Sequence, residues 1–208
     1  MPTKILNTLL LSTLLFFSAC DTTDTKTESS IEDRLNTNKK LWSKSTLKNY
    51  SFVVRKSCFC PDLKKKFVEV KNSKVSSVKY IPSNEILTQE AINKEKVIPD
   101  YFSFIQDAID RDAHDINVTY NSTYGYPEKI KIDYTQKAVD EEMYYEITHF
   151  NKTNSDGTIS CTEEYAPVCA TVAIQCITVP CEKIQETFSN RCYLDANPLA
   201  TYLKDGEC

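Results

Sequence analysis

The chain has 208 residues, which is enough for one ordinary domain and a smaller one. Its 25 basic and 29 acidic residues give a net charge of −4 and form no basic stripe, so the composition argues against a nucleic-acid partner. Only three glycines occur, and neither a GxGxxG nor a Walker pattern is present, so a dinucleotide- or ATP-binding enzyme is disfavoured.

The N-terminal segment "MPTKILNTLLLSTLLFFSACDTT" has the features of an export signal. Lys4 supplies a positive charge, and the apolar stretch 5–17 is too short to span a bilayer comfortably. With the small residues before Cys20, the segment resembles a bacterial lipoprotein signal, which implies that Cys20 is lipidated. The alternative is an ordinary secretory leader, and both readings export the protein to an oxidising compartment. Asp21 resembles a signal for retention at the periplasmic face of the inner membrane.

Composition divides the chain into five segments. The stretch "DTTDTKTESS" after Cys20 is too polar to bury an apolar core, and "NKTNSDGTIS" has the composition of a domain boundary. We assign a signal peptide to 1–19, a flexible tether to 20–38, a larger domain to 39–150, a linker to 151–159 and a small cysteine-rich module to 160–208.

The first predicted elements are a helix and three strands. Apolar residues recur at helical intervals from Ile31, and this helix, whose start is not defined, ends near Lys48. A strand from Tyr50 to Lys56 runs into a tight bend, and two further strands flank a turn at Asn72-Ser73.

The later elements complete the larger domain. Asp100 is a candidate cap for a helix that extends to about Arg111, and residues 116–134 alternate as a hairpin around "YGYP". A last strand covers 143–150. The predicted fold class is α+β, with a largely antiparallel sheet and one or two helices in a domain large enough for one hydrophobic core.

These features resemble a family of bacterial lipoprotein domains of unknown function. The matching residues are Trp42, the strand at Tyr50, "CFCP" at 58–61 and "VTYNSTYGYPEKIKIDY" at 118–134. The resemblance covers about residues 39–150 and implies no activity.

Six of the nine cysteines fall in the last 49 residues, and the others are Cys20 and the close pair Cys58 and Cys60. A segment this short has too much surface for its volume to be held by an apolar core alone, so disulfides are the expected substitute. Zinc is the competing explanation, but the segment contains no histidine, and we expect no metal. Six cysteines allow fifteen pairings, which the spacing alone does not decide.

The motifs "CTEEYAPVC", "ETFSNRC" and "DGEC" resemble a Kazal-type module, a small fold of serine-protease inhibitors. The resemblance implies the disulfides Cys161–Cys192 and Cys169–Cys208. Two family cysteines that pair with each other have no counterpart here. Cys176 and Cys181 lie in an insertion and are expected to pair with each other.

The same resemblance implies a protease-binding loop at Thr162, Glu163, Glu164 and Tyr165. Glu163 would be the primary specificity residue, flanked by Thr162 and Glu164, and Asn190 would brace the loop. Transfer of a carboxylate into an apolar or acidic pocket is costly, so trypsin-like, chymotrypsin-like and elastase-like targets are disfavoured and a glutamate-preferring protease is left open. The rival reading is a module that keeps the scaffold as a binding or spacer unit without inhibition.

A different class of function concerns the larger domain. Its "CFC" motif predicts either a local structural disulfide between Cys58 and Cys60 or a thiol redox site, and binding of an unknown ligand is also open. No nucleophile motif supports catalysis, so we expect a non-enzymatic protein without cofactors. The favoured hypothesis is a lipid-anchored extracytoplasmic protein that binds a protein partner, such as a serine protease, through the loop at Glu163.

Overall fold

The computed structural model describes residues 29–60, 63–137, 141–174 and 182–208. Within these residues the chain forms four helices and nine strands. The helices are α1 Ile31–Ser45, α2 Gln89–Ile92, α3 Ile98–Asp110 and α4 Arg191–Ala196. The strands are β1 Tyr50–Ser57, β2 Lys66–Lys71, β3 Lys74–Tyr80, β4 Asp115–Tyr120, β5 Pro127–Asp133, β6 Met143–Lys152, β7 Val168–Val172, β8 Ile184–Phe188 and β9 Ala200–Asp205.

The first six strands form one antiparallel sheet in the order β3-β2-β1-β6-β5-β4. Four of the five neighbouring pairs join strands that follow each other in the chain, namely β1–β2, β2–β3, β4–β5 and β5–β6. The contact between β1 and β6 instead joins strands that are far apart in sequence, with Tyr50 opposite Lys152 and Ser57 opposite Tyr144. The α+β class with a largely antiparallel sheet is therefore confirmed.

Helices α1 and α3 bury their apolar sides in the core of this sheet. Tyr50 and Phe52 of β1, Tyr101 and Ile105 of α3, and Leu35 of α1 are each at most 2 % exposed. The hydroxyl oxygen of Tyr50 accepts a hydrogen bond from the main-chain N–H of Ile98 at 3.1 Å, so the first turn of α3 is fixed to the central strand.

The structure defines the start of helix α1, which the sequence does not, and places its end earlier than predicted. It begins at Ile31, inside the segment assigned to the tether, because the Ser30 hydroxyl caps it and Leu35 is buried. It ends at Ser45 rather than near Lys48, because Thr46 has a positive φ of 53° and its N–H bonds to the oxygen of Ser43.

The next two helices also differ from the prediction. Asp100 was the predicted cap of α3, but it lies within the first turn, and its carboxylate accepts a hydrogen bond from the N–H of Val97 at 2.8 Å. Pro99 near the helix start explains the shift, because its fixed φ suits the first turn. Helix α2 was not predicted, since a single turn has no periodic pattern to detect.

The β4–β5 hairpin turns at Gly125, which has a φ of +76°. A Cβ atom at this position would lie 2.5 Å from the main-chain oxygen of Asn38 in α1. The glycine therefore allows the hairpin turn to approach α1 closely.

The C-terminal module, residues 160–208, forms a second sheet in the order β8-β7-β9 with α4 against it. Its small core contains Val168, Ala170, Leu194 and Ala200. Helix α4 is short: it starts after its cap Asn190 and ends before Pro198.

The two units are in contact. Strand β6 continues to Lys152, so Asn151 and Lys152, which the prediction placed in the linker, pair with β1. In the same strand, His149 Nε2 lies 2.8 Å from the main-chain oxygen of Ala200 in the module. The module therefore packs against the end of the sheet where β1 begins.

Candidate functional site

The predicted binding loop lies between the linker and β7, on the surface of the C-terminal module. Thr162, Glu163, Glu164 and Tyr165 are all exposed. No described residue forms a salt bridge or hydrogen bond with the carboxylate of Glu163. The side chain of Glu163 is thus presented to solvent.

Asn190 holds the main chain on both sides of Glu163. Its side-chain amide nitrogen donates hydrogen bonds to the main-chain oxygens of Thr162 and Glu164, each at 2.9 Å. Its side-chain oxygen accepts hydrogen bonds from the N–H groups of Cys192 at 3.0 Å and Tyr193 at 3.3 Å. One buried amide therefore caps α4 and fixes the loop to the start of that helix.

Further bonds hold the two ends of the loop. The disulfide Cys161–Cys192 joins the residue before Thr162 to the first turn of α4. After the loop, the N–H of Ala166 donates to the main-chain oxygen of Ser189 at 2.9 Å. Both ends and both sides of the exposed segment are thus attached to residues 189–192.

The second disulfide of the module, Cys169–Cys208, joins β7 to the last residue of the chain. It and Cys161–Cys192 are the two pairs that the Kazal-type resemblance implies. The third expected pair, Cys176–Cys181, lies outside the described residues, as does Cys20.

Tyr165 has a partner that sequence spacing did not indicate. Its hydroxyl donates a hydrogen bond to the carboxylate of Glu207, 42 residues further along the chain. This hydrogen bond raises the pKa of Tyr165 above its ordinary value. The ring itself remains 64 % exposed, so it lies beside Glu163 as an accessible aromatic surface.

The larger domain carries its cysteines elsewhere. Cys58 and Cys60 form a disulfide directly after β1, at the end of the sheet opposite the C-terminal module. Phe59 between them is 84 % exposed. The structure therefore separates the binding loop and the CFC motif into two distinct places.

A cavity of about 430 Å³ lies between the sheet and α4. Tyr126 and Phe150 of the larger domain line it together with Arg191 and Asp195 of the module. The guanidinium of Arg191 is already paired with the carboxylate of Asp195 at 3.0 Å. Burial is the largest cause that raises the pKa of Tyr126, which is 6 % exposed, so its hydroxyl stays protonated.

The described residues include neither a metal-binding cluster nor a helix suited to cross a membrane. Among them, no group of three or more His, Cys, Asp or Glu side chains is arranged to hold a metal ion. None of the helices in the described ranges is long and apolar enough to cross a membrane.

The fold and its sites define an α+β domain with a six-stranded antiparallel sheet and an appended disulfide-stapled module. Residues 34–152 match a family of unknown function, DUF6174, over more than half of the chain. The chain therefore belongs to the DUF6174 family, and the predicted membership in a family of unknown function is confirmed. Comparisons with curated proteins and with solved structures gave no significant match.

Proposed function

We propose that the protein is a lipid-anchored extracytoplasmic protein whose Kazal-like module binds a serine protease through the loop at Glu163. The observation that carries the proposal is the pair of 2.9 Å hydrogen bonds from Asn190 to the oxygens of Thr162 and Glu164. The membrane anchor rests on the lipoprotein-like signal that ends at Cys20.

A loop held in this way suits substrate-like inhibition. Because its conformation is fixed before binding, a protease loses little loop entropy on docking to it. If the bond between Glu163 and Glu164 were cut, Thr162 would remain on one fragment and Glu164 on the other, and Asn190 would still bond to both. The new ends would stay together, which slows release and favours resynthesis of the bond.

The charge of the loop selects the class of protease. Burial of the Glu163 carboxylate in an apolar or acidic specificity pocket costs several kcal/mol unless a cation or hydrogen-bond donors receive it. A serine protease with a basic specificity pocket, which cleaves after glutamate, is therefore the fitting target. Trypsin-like, chymotrypsin-like and elastase-like enzymes are disfavoured.

An inhibition assay with the full chain tests this proposal. We expect the chain to inhibit a glutamate-specific serine protease and not trypsin. The Glu163→Lys variant should inhibit trypsin and no longer inhibit the glutamate-specific enzyme. Glu186→Lys is the matched control, because Glu186 is an exposed glutamate on β8 of the same module and the charge change is identical. Failure of the unaltered chain to inhibit any glutamate-specific enzyme would leave the module as a spacer or a binder of another protein.

The exposed CFC motif favours a second candidate, thiol–disulfide exchange at Cys58–Cys60. Because Phe59 is 84 % exposed, a partner thiolate can approach this turn. Equilibration of the full chain with thiol buffers would measure the reduction potential of the pair. A strongly reducing value would mark the disulfide as structural and remove this candidate.

A further inference from the structure

The turn after β1 exposes a compact apolar surface, here called the apolar tip, formed by Cys58, Phe59, Cys60 and Leu63. Phe59 is 84 % exposed and Leu63 is 51 % exposed, and the four residues line a shallow cavity of about 390 Å³. The turn is covalently closed by Cys58–Cys60. Large apolar side chains at this exposure contribute little to folding and mark a surface for interaction.

Basic residues flank the apolar tip in the sequence. The stretch "RKSCFCPDLKKK", residues 55–66, contains five basic residues and one acidic residue in a chain whose net charge is −4. Arg55 and Lys66 have carboxylate partners in Glu146 at 3.1 Å and Glu95 at 2.7 Å. Lys64 and Lys65, which follow Leu63, are both exposed, and the Lys64 ammonium lies 4.6 Å from the centroid of the Tyr80 ring. The surface beside the apolar tip therefore attracts anions.

The direction of α1 places the N-terminal segment toward the same end of the sheet. The Arg34 side chain donates a hydrogen bond to the main-chain oxygen of Val118. Across the sheet, Val118 is opposite Ile130, Ile130 is opposite Tyr145, and Tyr145 is opposite Lys56, near the end of β1. Further along α1, Trp42 packs on Tyr50 at the opposite end of β1. Helix α1 thus runs away from the apolar tip, and its first residue points toward the end that bears it.

The C-terminal module lies at the other end of the sheet. His149 and Asn151, which contact it, are near the end of β6, beside the start of β1. Between Cys20 and α1 lie residues 21–30, which span at most about 35 Å when extended. An anchor at Cys20 would therefore keep a bilayer within reach of the tip end of the sheet.

We propose that the apolar tip docks on an anionic lipid surface, with Phe59 and Leu63 in the headgroup region and Lys64 and Lys65 at the level of the phosphates. An exposed aromatic residue flanked by lysines has the chemistry of a membrane interface, where apolar burial and attraction to anionic lipid act together. The inference rests on the membrane anchoring in the proposed function and is independent of protease binding.

Fluorescence quenching of the full chain in vesicles tests the docking. The Phe59→Trp variant is placed in phosphatidylcholine vesicles with or without phosphatidylglycerol, both containing lipids brominated on the acyl chains. The native Trp42 is 7 % exposed in the core and supplies a constant background. Tyr165→Trp is the matched control, because it places a tryptophan at an exposed aromatic position in the C-terminal module. Flotation of the vesicles reports anchoring separately.

The expected result is a blue shift and loss of the added emission for Phe59→Trp in anionic vesicles, with neither change for Tyr165→Trp. Lys64→Gln with Lys65→Gln, or high salt, should restore most of the emission. Chain that floats with the vesicles but shows no quenching at position 59 would overturn the docking and leave the anchor intact, and would point to a protein partner for the apolar tip. Equal quenching at both positions, or quenching that ignores lipid charge, would also overturn it. Absence of flotation would overturn both the anchor and the docking.

Discussion

Asn151 of β6 donates a hydrogen bond from its side-chain amide to the main-chain oxygen of Asp195 at 2.7 Å, across the contact between the DUF6174 domain and the C-terminal module. The same amide donates to the oxygen of His149 at 3.2 Å, and the residue is 8 % exposed. Together with the contact of His149 to Ala200, this bond fixes the module to the end of the sheet.

Replacement of Asn151 should therefore loosen the module. We expect Asn151→Ala to lower the free energy of unfolding by about 1–3 kcal/mol, because it leaves the partly buried carbonyl oxygens of His149 and Asp195 without this donor. Chemical denaturation measures the loss. Asn117→Ala is the control, because Asn117 is an exposed asparagine on β4. This substitution should change the free energy of unfolding by less than about 0.5 kcal/mol. Equal effects of the two substitutions would show that the contact does not stabilise the protein.

The bracing role of Asn190 can be separated from its capping role. Asn190→Asp keeps an oxygen that accepts from Cys192 and Tyr193, but it removes the donor to Thr162 and Glu164. We expect α4 to remain folded while inhibition of a glutamate-specific protease weakens roughly tenfold or more. The cut between Glu163 and Glu164 should then accumulate, as read by mass spectrometry. Full inhibition by this variant, with its circular dichroism unchanged, would argue against bracing.

Two glycines in turns allow the steric cost of an added Cβ atom to be separated from the cost of backbone strain. Gly125 and Gly206 have similar positive φ values, +76° and +82°, but only Gly125 has a neighbour in the way of a Cβ atom, the oxygen of Asn38 at 2.5 Å. Alanine at either position should cost about 1–2 kcal/mol of backbone strain. We expect Gly125→Ala to lower the free energy of unfolding, measured by urea denaturation, more than Gly206→Ala does, because the hairpin must also move away from α1. Equal losses of unfolding free energy in the two variants would mean that the turn moves away from α1 without cost.

Alkaline pH should destabilise the larger domain. Burial raises the pKa of Tyr120 from 10.0 to about 12, although the charge of Arg34 opposes part of this shift, and burial also raises the pKa of Tyr101. Because the folded pKa lies above the unfolded one, the stabilisation is complete below pH 10 and is lost as the pH rises toward 12. Denaturation at increasing pH should show this decline, and Tyr120→Phe should reduce its slope. A stability that does not change across this range would contradict the burial of these hydroxyls.

Much of the local structure could be predicted from the sequence, because it depends on short-range patterns. Val68 and Val70 alternate with charged residues, as a strand with one buried face requires, and both are buried in β2. The turn at Asn72-Ser73 was predicted from its composition, and both residues take positive φ values. The sequence does not define the start of α1, because the polar stretch before Leu35 resembles a tether although the helical period of apolar residues begins at Ile31; the burial of Leu35 and the cap at Ser30 define it.

The candidate site could be predicted in part. The motif around Glu163 and the asparagine before Cys192 were recognised through a resemblance, which already implied that they act together. The partner of Tyr165 was not recognised, since Glu207 is brought to it by the pairing of β7 with β9 together with the disulfide Cys169–Cys208. The exposure of Phe59 was equally hidden, because an aromatic residue between two cysteines is as compatible with a core as with a surface.

The sequence by itself determined the α+β class, the division into a larger domain and a cysteine-rich module, and the positions of most strands. These properties follow from the period of apolar residues and from cysteine number, which act over a few neighbouring positions. Only the tertiary structure decided that β1 pairs with β6, that the module packs at one end of the sheet, and that the CFC motif lies at the other. Those relations depend on pairing between strands about a hundred residues apart, and alternation within a strand does not specify its partner.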